Sequence, residues 1–374
     1  MTVVHDQRTG PRAGRGSSDG DDGDERLGRA ASRRTTAWLL GLAAALLVAM
    51  VLGIGVGAVN QSPVTVVQVL GHHLAGWPGE VTWSVPTDSI VWDVRTPRVL
   101  LAALVGAGLA VTGVALQAMV RNLLADPYLL GVNSGASSGA AAAILFGFGA
   151  GLGEYALPGS AFAGALAASL VVFLVARSGG RVTSVRLLLA GVAVGYALYA
   201  LTSFLVFASS SAEGARSVLF WLLGSLGLAQ WNGLLAVVAG AVLVTCGLLA
   251  LWGRRLDALA VGDETARALG VDPERFRTVL LVVVALAVGV VVSASGSIAF
   301  VGLVVPHLAR RAVGSTHARV VPVAALMGAI LLIAADLVAR TLLAPQEIPI
   351  GIITSLVGAP FLLVLIRRLH ADVA

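Results

Sequence analysis

Long apolar runs separated by short polar segments make up the chain after residue 35. Ten of these runs approach the length of about 20 residues that an α-helix needs to cross a bilayer. We predict spans at 36–59, 97–120, 128–150, 158–176, 187–208, 231–252, 278–296, 298–313, 321–343 and 350–367. Two are weak, because 128–150 is interrupted by glycine, serine and asparagine and 298–313 is short and contains Pro306 and His307. The pattern predicts an all-α polytopic membrane protein with ten transmembrane helices.

Composition supports the membrane assignment and excludes two other classes. Of the 374 residues, 57% are hydrophobic and only 12% are charged, whereas a soluble domain carries about 25% charged residues. The 25 basic residues are all arginines that lie between apolar runs, which is a membrane pattern and not a nucleic-acid-binding one. A nucleotide-hydrolysing P-loop requires a lysine, and the chain has none. If transport is driven by ATP, the motor is therefore another polypeptide.

The arginines also predict an orientation and a division of the chain. If the amino terminus is cytoplasmic and the ten spans alternate, 21 arginines fall inside and four outside. Positive residues are enriched in cytoplasmic loops, so we predict a multi-pass protein of the cytoplasmic membrane with both termini inside. Residues 1–35 are polar and are predicted to be a disordered cytoplasmic arm. Residues 36–370 form the predicted ten-span permease domain.

The longest inward loop, 253–277, contains a candidate interaction element. Residues 256–270 predict a short capped helix, with Asp263 as N-cap, Glu264 in the first turn and Gly270 just beyond the carboxyl end. A second short helical turn is predicted to begin at Asp272-Pro273. This element could dock a cytosolic partner or could lie on the membrane surface, and the residues alone favour neither alternative.

Four arginines on the predicted outer side run against the orientation bias: Arg95, Arg98, Arg216 and Arg340. Arg340 follows Asp336 by four residues, so these two side chains can pair along one helix. The outer arginines could reach toward lipid headgroups. Alternatively, they could form a positive patch that captures acidic groups of a soluble partner.

Small hydroxyl residues mark the inner entrance of the fifth span. Thr183, Ser184 and Val185 lie between Arg181 and Arg186, where they could line a constriction or bond only to the backbone.

The predicted spans contain few residues that could support ion coupling, catalysis or metal binding. Asp336 and His307 are nearly the only ionisable groups there, which disfavours an ion-coupled carrier. Cys246 is the single cysteine, and no grouping of histidine, aspartate and glutamate has catalytic or metal-ligand spacing. We therefore expect no catalytic residue, no metal site and no cofactor.

Eight segments, distributed in order over residues 91–368, resemble one family of transport proteins. They are Arg95 to Leu100, Gly113 to Gln117, Arg121 to Ala136, Arg186 to Gly191, Phe220 to Ser225, Phe300 to His307, Ala335 to Arg340, and Pro349 to Phe361. Together they are similar to the FecCD-type permeases of binding-protein-dependent ABC importers, which carry iron–siderophore complexes or cobalamin.

The resemblance implies a ten-span subunit in which spans two to five and seven to ten form an inverted repeat. It also implies three partners: an ABC ATPase subunit, an extracytoplasmic substrate-binding protein and a second permease subunit in a homodimer or heterodimer. Three residue groups carry over from the family. They are ATPase coupling by Asp263, Glu264, Ala266, Arg267, Leu269 and Gly270, binding-protein docking by Arg95, Arg98 and Arg340, and a cytoplasmic gate at Thr183, Ser184 and Val185.

The expected function is inward transport of a ferric siderophore by a subunit that performs no chemistry itself. Cobalamin or haem import is the alternative within the family. An ion-coupled secondary carrier is the alternative from another class, followed by a membrane scaffold.

Overall fold

The computed structural model describes the backbone of residues 18–177 and 183–371, and side chains between residues 32 and 367 outside that gap. The helices in this part of the chain are α1 (Ser18–Gly55), α2 (Pro63–Ala75), α3 (Val85–Ser89), α4 (Thr96–Val120), α5 (Val132–Phe146), α6 (Ala156–Arg177), α7 (Ser184–Ala208), α8 (Ala212–Leu222), α9 (Gly233–Leu251), α10 (Gly253–Val261), α11 (Asp263–Ala268), α12 (Pro273–Ser295), α13 (Val301–Val313), α14 (His317–Thr341) and α15 (Ile350–Ala371). Three short helical segments join them: the π-helical Ile90–Arg95 and the 3₁₀-helical Pro127–Leu130 and Ala150–Tyr155.

Each of the ten predicted spans is a helix in the structure, namely α1, α4, α5, α6, α7, α9, α12, α13, α14 and α15. Eight helical stretches among the described residues are long and apolar enough to cross a membrane. The two predicted spans that fall short are α5, with 15 residues, and α13, with 13. These are the same two that the sequence marked as weak, because glycine and proline interrupt their apolar pattern.

Helix α4 lies at the centre of the bundle. Its most apolar window is 78% buried, whereas that of α7 is 17% buried. Glycines let neighbouring backbones approach α4 closely: Gly106 faces Gly328 of α14, and Gly113 faces Gly302 of α13. Helix α4 packs on α14, and α12 packs on α6. An inverted repeat of spans two to five and seven to ten would make α4 equivalent to α12 and α6 equivalent to α14, so these two contacts would be equivalent as well.

The first helix begins further upstream than the sequence predicted. Residues 18–35 continue α1 as helix, so the prediction of a disordered arm is corrected for this segment, and residues 1–17 lie outside the described part. An already formed span removes the cost of helix nucleation, so residues such as alanine, arginine and glutamate can extend it.

The helix predicted within 256–270 is two helices, α10 and α11. Gly262, at φ 154°, separates them and occupies the N-cap position of α11. The prediction of Asp263 as N-cap was therefore wrong, whereas Gly270 adopts the left-handed conformation expected just beyond a helix end. The short turn predicted at Asp272-Pro273 is instead the start of the long helix α12, with the Asp272 side chain as its cap.

The two ends of the bundle differ in charge. We call the end that carries α10 and α11 the arginine-rich end; its arginines include Arg121, Arg254, Arg255, Arg267, Arg311 and Arg319. The opposite end carries the short helices α2, α3 and α8, which the sequence did not predict.

Candidate functional sites at the two ends of the bundle

At the opposite end, two of the predicted docking arginines cap helix α1. Arg95 donates hydrogen bonds to the carbonyl oxygens of Ile54 and Gly55, at 2.8 and 3.0 Å, and Arg340 donates to that of Gly53 at 2.7 Å. Both arginines are buried, with 7% and 8% of their surface exposed. The last carbonyls of a helix lack backbone partners and carry its negative dipole end, so these cations stabilise the end of α1.

Asp336 joins Arg98 and Arg340 into one buried ion cluster. Its carboxylate is 2.9 Å from Arg340 on the same helix and 2.9 Å from Arg98 on α4, and the residue is only 1% exposed. The pairing of Asp336 with Arg340 was predicted from their spacing, and the geometry confirms it. The bridge to Arg98 was not predicted, because it joins residues far apart in sequence.

Arg98 also reaches the surface through Glu347. Its two terminal nitrogens donate to the two carboxylate oxygens of Glu347 at 3.0 and 2.9 Å. The Glu347 side chain is half exposed, whereas that of Arg98 is largely covered. Arg216 on α8, the fourth outward arginine, is exposed. The structure thus gives Arg95 and Arg340 an internal role that neither sequence alternative included, and leaves Arg98 closest to solvent among the three predicted docking residues.

At the arginine-rich end, an ion pair fastens α11 to α12. Arg277 donates to both carboxylate oxygens of Asp263, at 2.9 and 2.6 Å, and its side chain is 4% exposed. The hydrogen bonds and charge of Arg277 lower the pKa of Asp263, with a further contribution from Arg121. Asp263 is consequently ionised at neutral pH and fixes the start of α11. Arg277 was not predicted as a site residue, and no local spacing connects it to Asp263.

A second bond fastens α10 to α14. The carboxylate of Asp257 accepts from the backbone nitrogen of His317 at 2.9 Å and lies 2.6 Å from its ring Nδ1. Burial raises the pKa of Asp257, but the hydrogen bonds from His317 outweigh it and the pKa is lowered overall. The α10–α11 element is thus attached to the spans at both of its helices.

The predicted coupling residues fall on two faces of α11. Ala266 is fully buried, at 0% exposed, whereas Leu269 is 66% exposed. Glu264, Arg267 and Gly270 are also exposed. Helix α10 packs against α4 and α14, and α11 packs against α12. The docking role of the exposed face stays a prediction.

The predicted gate residues begin helix α7. The Thr183 hydroxyl caps this helix by accepting from the backbone nitrogen of Arg186 at 3.4 Å. Ser184 donates to the carbonyl oxygen of Met119 at 3.4 Å. The Val185 side chain is exposed, and Arg181 lies outside the described residues. The hydroxyls therefore make the backbone bonds of one sequence alternative, and the gate stays a prediction.

A further polar contact, missed by the sequence, lies around Pro306 in α13. Proline has no amide hydrogen and leaves the carbonyl four residues earlier without a helical partner. That carbonyl belongs to Gly302, and the Gln117 side-chain nitrogen lies 3.5 Å from it and 3.3 Å from the Leu303 carbonyl. Arg310 donates to the Gln117 side-chain oxygen at 2.6 Å. Gln117 thus links the central helix to the proline-containing one.

Comparison with known proteins agrees with this architecture. The FecCD transport family matches residues 45–368. The hemin transport system permease protein HmuU of Yersinia pestis is 43% identical over 292 residues, which is 76% of this chain and 86% of HmuU. The cobalamin import system permease protein BtuC of Halobacterium salinarum is 44% identical over 278 residues, or 74% of this chain and 73% of BtuC. A solved structure described as an inward-facing metal-chelate type ABC transporter superposes with a TM-score of 0.76 at 33% identity, covering 88% of this chain and 98% of the other.

The chain belongs to the FecCD transport family. It is a multi-pass permease subunit of an ABC importer in the inner membrane, and it works with an ABC ATPase and a substrate-binding protein. The family resemblance and the all-helical permease fold predicted from the sequence are confirmed, and eight of the ten predicted spans are long and apolar enough to cross a membrane. The carrier alternative is inconsistent with this family.

Proposed function

We propose that this permease imports a metal held inside an organic chelate, and that the chelate is a ferric siderophore. The observation that carries this proposal is the shared chemistry of the similar proteins, whose names specify hemin, cobalamin and a metal chelate. Haem and cobalamin remain the alternatives, because the two relatives named for them are almost equally identical to this chain.

Helix α7 supplies a surface that suits such a cargo. Tyr196, Tyr199 and Phe207 are exposed on it, and their spacing places them within one side of the helix. Aromatic rings pack well against the organic shell of a chelate. We propose that α7 and the likewise exposed α15 face a second permease subunit across the path, with Thr183, Ser184 and Val185 at its cytoplasmic gate.

The cargo is tested by uptake. The permease is reconstituted with its ATPase and binding protein, and ATP-dependent accumulation of ⁵⁵Fe-siderophore, ⁵⁷Co-cobalamin and ⁵⁵Fe-haem is compared. We expect the ferric siderophore to accumulate. Accumulation of haem or cobalamin in its place would refute the siderophore assignment, and accumulation of none of the three would refute the metal-chelate proposal.

Both termini are proposed to be cytoplasmic, which places the arginine-rich end inside. The excess of arginine at that end supports the orientation. Fluorescent tags on the two ends test it: both should report the cytoplasm, and tags on opposite faces would overturn the proposal.

The exposed face of α10 and α11 is proposed to seat the ATPase. Leu269→Glu should lower ATPase co-purification and ATP-driven uptake by about 30-fold, because a buried apolar anchor of an interface contributes about 2 kcal/mol. Leu74→Glu is the matched control, since Leu74 is an exposed leucine on α2, at the opposite end. Undiminished ATPase binding by the Leu269 variant would show that this face is not the docking surface.

Arg98 is proposed to receive an acidic group of the binding protein, with Arg95 and Arg340 positioning it through α1 and Asp336. Glu347 already occupies the two outer nitrogens of Arg98, so it competes with such a group. Arg98→Gln should weaken binding-protein affinity about fivefold and Glu347→Gln should strengthen it by a similar factor. Binding assays on the solubilised complex measure both.

The opposite signs make this test specific. If the salt bridge were only structural, both variants would change affinity in the same direction. Thermal unfolding of each variant reports any loss of folding separately, and an affinity that rises in neither variant would remove Arg98 from the docking surface.

A further inference from the structure

A groove opens on the side of the bundle at the arginine-rich end, between α1, α13 and α14. Its volume is about 540 Å³. Each helix contributes residues spaced three to four apart, so each presents one face to the groove. The lining includes Arg34, Trp38 and Leu42 of α1, Leu308 and Arg311 of α13, and Ala334 of α14.

Two arginines form the mouth of this groove. Arg34 donates through Nη2 to the backbone carbonyl of Arg311 at 3.3 Å, which places the Arg34 guanidinium beside the last turn of α13, where Arg311 lies. Both residues are exposed. Among the side chains that the structure describes, no carboxylate lies within 4.0 Å of either guanidinium. The mouth therefore carries two positive charges without a counter-charge from this part of the protein.

The dimensions and polarity of the groove match one leaflet of a bilayer. Arg34 and Leu42 are eight residues apart, which is about 12 Å along a helix, and half of the hydrocarbon core is about 15 Å thick. Trp38 lies one turn from Arg34, where an indole ring prefers the headgroup boundary. Beyond it the lining is apolar. Polarity thus changes along the groove as it does along a phospholipid.

The apolar part extends further into the bundle. Leu308, Leu331 and Ala334 also line a second cavity of about 280 Å³ between α13, α14 and α15. Thr354 is its one polar residue. The apolar surface that begins at the arginine mouth is therefore continuous over two cavities, which gives room for acyl chains.

We propose that this groove is a binding site for an anionic phospholipid of the leaflet at the arginine-rich end. The phosphate lies between Arg34 and Arg311, and an acyl chain follows the groove past Trp38 toward Ala334. Basic pockets between transmembrane helices select anionic headgroups, because each arginine adds attraction that a neutral or zwitterionic lipid does not receive. The site therefore differs from the general lipid surface of the protein in its selectivity for charge.

Native mass spectrometry of the purified permease tests the proposal. The protein is delipidated and offered phosphatidylglycerol or phosphatidylcholine with identical acyl chains. Two arginines should favour phosphatidylglycerol by about 30-fold. Arg34→Gln with Arg311→Gln should abolish this preference. The matched control, Arg33→Gln with Arg319→Gln, removes the same charge from the same end outside the groove and should retain it.

A second variant examines the acyl chain. Ala334 is exposed in the groove, so Ala334→Trp fills the apolar part without displacing a core side chain. It should lower phosphatidylglycerol retention while both arginines remain. Equal retention of the two lipids by the unaltered protein would overturn the proposal. So would a preference that survives the loss of both groove arginines, or one that the control loses equally.

Discussion

Replacing Asp336 with leucine is expected to destabilise the permease by about 3–5 kcal/mol, because removing one member of a buried ion cluster leaves its partners uncompensated. The carboxylate lies 2.9 Å from both Arg98 and Arg340, whose side chains are themselves largely buried. Arg98 keeps Glu347, but Arg340 loses the only carboxylate that lies within 4.0 Å of it among the described residues. Thermal unfolding of the purified protein in detergent measures the loss.

A double-mutant cycle distinguishes uncompensated charge from lost packing as the cause of this destabilisation. Arg340→Met removes one of the two charges that Asp336 compensates, so combining it with Asp336→Leu should cost clearly less than the sum of the two single variants. Glu347→Gln is the control, since an exposed ion pair contributes at most about 1 kcal/mol. Strictly additive effects would show that the charges in the cluster do not depend on one another.

Gly113→Ala is expected to cost about 3 kcal/mol or to prevent folding. A Cβ atom at this position would overlap the backbone carbonyl of Gly302, so α4 and α13 would have to separate. Backbone cannot move aside as a flexible side chain can. The same separation would break the hydrogen bonds of Gln117 to the carbonyls of α13. Yield and unfolding temperature in detergent are the measurements.

Gly240→Ala on α9 is the matched control, because a Cβ atom there meets nothing within 4 Å. Alanine favours helix over glycine by up to about 1 kcal/mol, so this variant should be as stable as the unaltered protein or slightly more stable. A loss of stability equal to that of Gly113→Ala would show that the cost does not arise from the contact with Gly302.

The spans could be predicted because a bilayer imposes a length and a polarity on every crossing helix, and both are visible in a run such as 321–343. The contact of Asp336 with Arg340 could be predicted for a similar reason, since the helix itself sets their spacing. Local geometry was sufficient in both cases.

The partners of Arg95 and Arg277 could not be predicted, because tertiary packing chooses them. Arg95 bonds to carbonyls of α1 about 40 residues earlier, and any buried cation could have taken that position. Asp263 is a good N-cap by residue type, but its carboxylate accepts hydrogen bonds from Arg277, and Gly262 occupies the cap position. The burial of Ala266 likewise depends on which side of α11 meets the bundle.

The capping of α1 has a mechanical consequence. Because Arg95 and Arg340 come from the α4 and α14 regions and bond to the last turn of α1, the three helices are tied together and would travel as one rigid body. Helix α1 itself buries little of its surface, so these bonds, more than packing, hold its end to α4 and α14. Helices α7 and α15 bury less of their surface than α4 and α14 do, so less packing energy resists their displacement. Alternating access in this permease would then move α7 and α15 relative to a rigid unit made of α1, α4 and α14.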